Sequence, residues 1–195
     1  MIVRAERSFS VLYLTLSREF HKEIKEMSMI IRNGCLEDLQ QVISIERINF
    51  SEAEAASKKA MQERLTIMTD TFLVAEINGR LAGYIEGPVI KGRYLTDDLF
   101  HKVSEIPVRV GGFIGITSLS IHPDFKGQGI GTALLAAMKD LVVSQERDGI
   151  SLTCHDDLIS FYEMNGFKDE GESDSQHGGS LWYNMIWNNP TRSIC

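Results

Sequence analysis

A β-rich run, Leu119-Ser120-Ile121, is followed by a turn holding Gly127, Gly129 and Gly131 and then, from Thr132, by a helical pattern. That order builds an anion site. Glycines lack the Cβ that blocks close approach, so amides across residues 127 to 132 can point at a diphosphate while the helix dipole favours its charge. A turn serving only tight strand-to-helix packing would use the same residues, so spacing must discriminate between ligands. A Walker loop ends in Gly-Lys-Ser or Gly-Lys-Thr, yet Thr132 follows Gly131 directly, with no lysine for the phosphates. A dinucleotide fingerprint needs GxGxxG near the start of a βαβ unit, whereas these glycines fall at 127, 129 and 131, late in the chain.

The segment Lys126-Gly127-Gln128-Gly129-Ile130-Gly131, with His122-Pro123 just upstream, resembles the acetyl-CoA-binding motif Arg/Gln-x-x-G-x-G/A of GNAT acetyltransferases. Lysine at the first position departs from the motif but keeps the positive charge near the diphosphate. A second stretch, Ser151 to Phe167, is similar to the last helix of the same family, with its Phe-Tyr-x-x-x-Gly-Phe ending carried by Phe161, Tyr162, Gly166 and Phe167. Together with Phe72 to Glu76 and the tail Ser173 to Tyr183, it resembles bacterial arylalkylamine N-acetyltransferase-like proteins, from about Met29 to Trp187. The resemblance implies a GNAT fold of the mixed α+β class, a central twisted mixed sheet of about six to seven strands flanked by about four helices.

It also implies acetyl-CoA as cosubstrate, no metal, and a small primary amine, arylalkylamine-like, as acceptor. Leu119, Ser120 and Ile121 would hydrogen-bond the pantetheine arm as an added strand, and one of their amides would polarise the thioester carbonyl. Lys126, Gly127, Gln128, Gly129, Ile130, Gly131 and Thr132 would hold the diphosphate. Tyr162 is implied both as a coenzyme contact and as the general acid, a role its chemistry supports because a phenol is protonated at neutral pH. A packed aromatic beside Phe161 and Phe167 is the alternative.

An alkylamine with a pKa of ~10.4 costs about 4 to 5 kcal/mol to deprotonate at neutral pH, so a base or water chain is required. Animal arylalkylamine N-acetyltransferases carry two histidines where the alignment leaves Gly115 and Thr117. Glu46, Glu86, His122 and His177 are the substitutes, with Glu46 and His122 the nominated pair. A module that binds acyl-CoA but has lost its base, and a GNAT acting on protein N-termini, polyamines or aminoglycosides, are the competing readings. His155-Asp156-Asp157 puts three metal-ligating types in a row, but neighbours in a loop rarely converge on one ion, and an Asp before Leu158 reads better as a helix cap. Trp182 and Trp187, five apart on an expected strand, would face opposite sides.

These residues need elements to position them. Ile30 to Arg32 reads as a strand, Leu36 to Ile45 as a helix by the spacing of its apolar residues, and Ser51 to about Met68 as a second helix. Phe72 to Ile77 and Leu81 to Ile85 form a hairpin through Asn78-Gly79, a pair suited to a type I′ turn. Residues 88 to 112 are polar, long and candidate binding loop, with Leu95, Leu99 and Phe100 suggesting a short helix. Phe113 to Ile121 reads as a strand, Thr132 to Gln145 as a helix, Gly149 to Cys154 as a strand, Leu158 to Asn165 as a helix ended by Gly166, and Ser180 to Trp187 as the last strand.

With 195 residues the chain suits one domain, taken as residues 29–187, after an extension of residues 1–28 and before a tail of residues 188–195. In the extension, Leu12, Leu16, Phe20 and Ile24 recur every four residues, as on one face of an amphipathic helix, and no run there is long enough for a secretory leader or a bilayer span. A net charge of −7 argues against nucleic acid and anionic membranes as partners and suits a cationic small-molecule substrate. Three scattered cysteines, Cys35, Cys154 and Cys195, signal neither disulfides nor zinc and fit the cytoplasm; a homodimer is left open.

Overall fold

The computed structural model describes residues 29–100 and 111–192. The helical expectation for Leu12 to Ile24, and part of the long loop after Pro88, lie outside them.

Among the described residues, nine strands fall into two sheets. In the first, β1 (Met29–Asn33), β2 (Phe72–Ile77), β3 (Arg80–Glu86) and β6 (Ser118–Ile121) lie side by side and antiparallel. In the second, β4 (Val89–Ile90), β5 (Phe113–Ile116), β7 (Gly149–Cys154), β9 (Tyr183–Asn188) and β8 (Lys168–Glu172) follow in that order, with β5 and β7 parallel. The helices are α1 (Leu39–Asn49), α2 (Lys58–Ile67), α3 (Ile130–Ser144) and α4 (Ile159–Met164).

The hairpin turn forms as its residues require: Asn78 and Gly79 have φ of 51° and 79°, the left-handed pair of a type I′ turn. Its strands are buried on both faces because each face meets a different helix layer. Leu73, Ala75, Ala82 and Ile85 pack with Leu134, Met138 and Val142 of α3. Phe72, Val74, Leu81 and Tyr84 pack instead with Val42 and Ile45 of α1 and Met61 and Leu65 of α2. This sandwich fixes the start of α3 relative to β6, and so fixes the glycine turn between them.

Four differences from the sequence expectation matter. The expected single sheet is two, because the run from Phe113 to Ile121 divides at Thr117: Phe113–Ile116 pairs with β7, while Ser118–Ile121 pairs with β3. α2 starts at Lys58, not Ser51, because the Ser57 hydroxyl accepts the Ala60 amide and caps it there. β8, rich in charge and without apolar alternation, is held by backbone pairing to β9. Trp182 precedes β9, so the two tryptophans are not opposite faces of one strand.

Candidate functional site

Thr117 is where the strands fork. Its amide donates to the Glu86 carbonyl and its hydroxyl to Glu86 Oε1, at 3.0 and 2.8 Å. Beyond it, β6 leaves with β3 while β7 runs on through Thr153 and Cys154, and the strands part. The His122 amide donates to the Ala82 carbonyl at 2.8 Å, and Ser120 stands opposite Tyr84 two residues earlier. Antiparallel alternation therefore turns the main-chain groups of Leu119 and Ile121 away from β3, toward the opening. The Ile121 carbonyl accepts from Asn49 Nδ2 at 2.9 Å from that side.

The opening continues as a groove of about 700 Å³ lined by Leu119, Ser120, Ile121, Lys126, Gly127, Gly129, Ile130, Gly131, Thr132 and Tyr162. Of the residues expected to touch coenzyme, only Gln128 is not among its lining; Gln128 Nε2 turns back to the Asp124 carbonyl at 3.2 Å. Gly127 and Gly129 have φ of 75° and 77°, a region that side-chain-bearing residues rarely adopt, and no atom lies within 4 Å of where their Cβ atoms would be. Backbone conformation, not crowding, requires these two glycines. The first helical bond of α3 runs from Ala133 to the Gly129 carbonyl, so the amides of Ile130, Gly131 and Thr132 precede the bonded ladder at the positive end of the dipole. Unclaimed amides, a lysine and open space above them fit a diphosphate.

Where β5, β6 and β7 diverge, a pocket of about 90 Å³ joins this groove. Tyr162, Leu119, Phe50, Glu54, His155 and Leu158 line both. Tyr162 sits on α4 between Phe161 and Phe167, ring centroids 5.1 and 5.6 Å away, and Gly166, with φ of 76°, ends the helix directly after. Burial, and then the neighbouring Cys154 thiol, raise the phenol pKa above its ordinary value, so it is protonated at neutral pH. Burial likewise pushes the Cys154 thiol up to about 12, which makes it a poor nucleophile.

Glu46 of α1 is buried on the pocket wall. Its Oε1 accepts the Ala56 amide at 2.9 Å, and its Oε2 accepts from the Tyr84 hydroxyl and, at 3.3 Å, from the Ser118 hydroxyl. Glu86 is fully buried behind Thr117, paired with Arg64 Nη1 at 2.7 Å, and burial raises its carboxyl pKa. His122 lines neither cavity; its Nδ1 accepts the Asp124 amide at 3.2 Å. The structure thus brings Glu46 and Tyr162 to one pocket and leaves His122 outside it.

The expected cap before Leu158 takes another form: Asp156 Oδ1 accepts the adjacent Asp157 amide at 2.9 Å, and α4 has no side-chain cap. His155 instead stacks on Trp182, centroids 4.1 Å apart, with Nε2 3.4 Å from Glu54 Oε1. His177 stacks on Phe100, also at 4.1 Å. Sequence reasoning missed these stacks and the Arg64–Glu86 pair, for neither has a spacing signal. Among the described residues no group of three or more metal-ligating side chains converges, and no helix is long and apolar enough to cross a membrane.

Residues 39–188 match the acetyltransferase (GNAT) domain. An N-alpha-acetyltransferase of Sulfurisphaera tokodaii is 29% identical over 157 residues, 77% of this chain and 87% of that protein. The PaiA N-acetyltransferase of Thermoplasma acidophilum, solved with coenzyme A, superposes with a TM-score of 0.60 at 23% identity, covering 83% of this chain and 99% of the other. Arabidopsis thaliana Naa50, solved with a bisubstrate analogue of coenzyme A and an acetylated peptide, gives a TM-score of 0.62 at 17% identity over 83% and 99% of the two chains.

Proposed function

From the premise that this chain belongs to the GNAT family of acetyl-CoA-dependent acetyltransferases, we propose that it transfers the acetyl group to a primary amine by direct attack in a ternary complex. One observation carries the reading: Tyr162 stands where the groove over the glycine turn meets the pocket that holds Glu46. The amides of residues 127 to 132 and Lys126 hold the diphosphate, and the exposed edge of β6 pairs with the pantetheine arm. The thioester carbonyl then lies near the Leu119 amide, which stabilises the oxyanion.

The ammonium form of the acceptor first gives a proton to Glu46 through Ser118 or a water. The free amine attacks the carbonyl carbon, the new C–N bond forms, and the C–S bond breaks as the tetrahedral intermediate collapses. The nitrogen releases its second proton through water to solvent, the thiolate takes one from Tyr162, and the phenolate recovers a proton from solvent. Because burial raises the phenol pKa, its hydrogen bond to the developing thiolate carries much of this stabilisation, with the proton following.

For the acceptor, the resemblance supports an arylalkylamine, while the name of the Sulfurisphaera relative supports a protein N-terminus. Thiol release from acetyl-CoA with 2-phenylethylamine, spermidine and short peptides tests the transfer. Turnover with at least one amine is expected; tight coenzyme binding without turnover on any amine would establish the binding-module reading instead.

A further inference from the structure

Resting on the transfer reading above, we infer that the acceptor is a small, non-aromatic amine without an acidic group, selected by the paired rings that roof the pocket. The roof consists of Phe100 stacked on His177 and His155 stacked on Trp182, and both pairs line the same cavity as Glu46 and Tyr162. At about 90 Å³ the pocket is well below the roughly 150 Å³ that accommodates a benzene-sized guest. An aryl ring reaching Tyr162 from the acceptor side must therefore displace the roof.

The roof is anchored on several sides. Ser175 Oγ and the Gln176 amide donate to the two oxygens of Asp97 at 2.5 and 2.9 Å, which ties the segment before β9 to the segment before Phe100. Trp182 Nε1 donates to the His177 carbonyl at 2.8 Å, and Arg64 Nη2 holds the Phe100 carbonyl at 2.9 Å. Glu54 reaches both stacks, through its carboxylate to His155 and through its carbonyl, 3.3 Å from His177 Nε2. Widening the pocket breaks several of these contacts at once.

Charge makes the second selection. Among the described residues, the lining carries the carboxylates of Glu46 and Glu54 and neither lysine nor arginine. A cationic amine meets opposite charge and aromatic faces, whereas a carboxylate on the acceptor meets like charge with no lysine or arginine among the described lining residues to pair it.

The test uses propylamine, 2-phenylethylamine and β-alanine, three primary amines of similar basicity, in a thiol-release assay at saturating acetyl-CoA. Propylamine is expected to exceed each of the others in kcat/KM by about tenfold or more. Trp182→Ala, and separately Phe100→Ala, should narrow the ratio of propylamine to 2-phenylethylamine by about tenfold while KM for acetyl-CoA stays within about twofold. Equal or better use of 2-phenylethylamine or β-alanine by the native chain would overturn the inference. So would an unchanged ratio in variants that keep the native circular dichroism. If both variants fail to fold, the native ranking alone decides. Absence of turnover with all amines despite coenzyme binding would instead sink the transfer reading beneath it.

Discussion

The groove over the glycine turn and the pocket at the strand fork share Tyr162 and are built on opposite plans. The groove draws half of its lining from two short runs, residues 119–121 and 126–132 without Gln128. Its side chains matter mostly by being absent. The pocket gathers side chains from α1, the loop before α2, the fork of β5 and β6, β7, α4 and the segment before β9. There, carboxylates and rings hold one another through buried pairs. A ligand common to many proteins can be met by main-chain geometry, which tolerates drift at most side chains, while an acceptor is distinguished only by side chains that long-range contacts hold.

The contrast breaks hardest at the shared residue. Tyr162→Phe keeps the ring between Phe161 and Phe167 and removes the hydroxyl, so kcat should fall by about 10²- to 10⁴-fold while calorimetric affinity for acetyl-CoA is retained. A fall below about threefold would return Tyr162 to a packing role.

Next comes the scaffold behind the pocket. Arg64→Ala leaves the fully buried Glu86 without its cation, and chemical denaturation should show a loss of about 3 to 5 kcal/mol at neutral pH. The loss should shrink on acidification, because protonation removes the stranded charge. Glu86 in the native chain already has its pKa raised by burial, so its neutral form is favoured by folding; its contribution is greatest below the unfolded carboxyl pKa and is lost as pH rises through the folded one. The pH dependence of stability in Arg64→Ala, compared with Arg64→Ala/Glu86→Gln, reads this directly.

Gly129→Val probes the groove. A β-branched residue at φ of 77° costs about 1 to 3 kcal/mol in strain or forces the turn to another conformation, and acetyl-CoA affinity should weaken by about tenfold or more. Lys126→Ala should cost less, because the charge it brings is exposed and the amides remain.

The mildest change lies away from both regions. Glu170 accepts from Arg93 Nε and Nη2 and from the Tyr94 hydroxyl, and its pKa is lowered to about 2, chiefly by the Arg93 hydrogen bond. The stability it contributes is present above the unfolded carboxyl pKa of ~4.3 and is lost as pH falls through about 2. Solvent screening reduces this to about 1 kcal/mol, so Glu170→Gln should lower the thermal midpoint slightly at pH 7, with kcat/KM unchanged.

Legibility followed the same division. The Asn78-Gly79 turn, the glycines before α3 and the Phe161-Tyr162 pair ahead of Gly166 were each readable because the physics that fixes them is local: positive φ, helix start, helix end. The start of α2 was misplaced by seven residues, from Ser51 to Lys58, because Ser51 and Ser57 are both credible caps and only the Ser57 hydroxyl accepts the amide three residues on, while the Ser51 hydroxyl donates to the Glu54 carboxylate. β8 offered no apolar alternation, since its pairing to β9 is a backbone matter. The division of Phe113 to Ile121 was hidden altogether: Thr117 is an ordinary strand residue until Glu86, thirty-one positions away, takes its hydroxyl.

By itself the order of residues determined the hairpin, the glycine turn ahead of α3 and the run that carries Tyr162, since each depends on φ, ψ and capping within a few positions. Tertiary structure alone decided that Glu46 joins Tyr162 while His122 stays outside, and that two ring stacks close over them. Those outcomes depend on which distant side chains meet in a low-dielectric interior where every buried charge and hydroxyl needs a partner, and no local pattern specifies that choice.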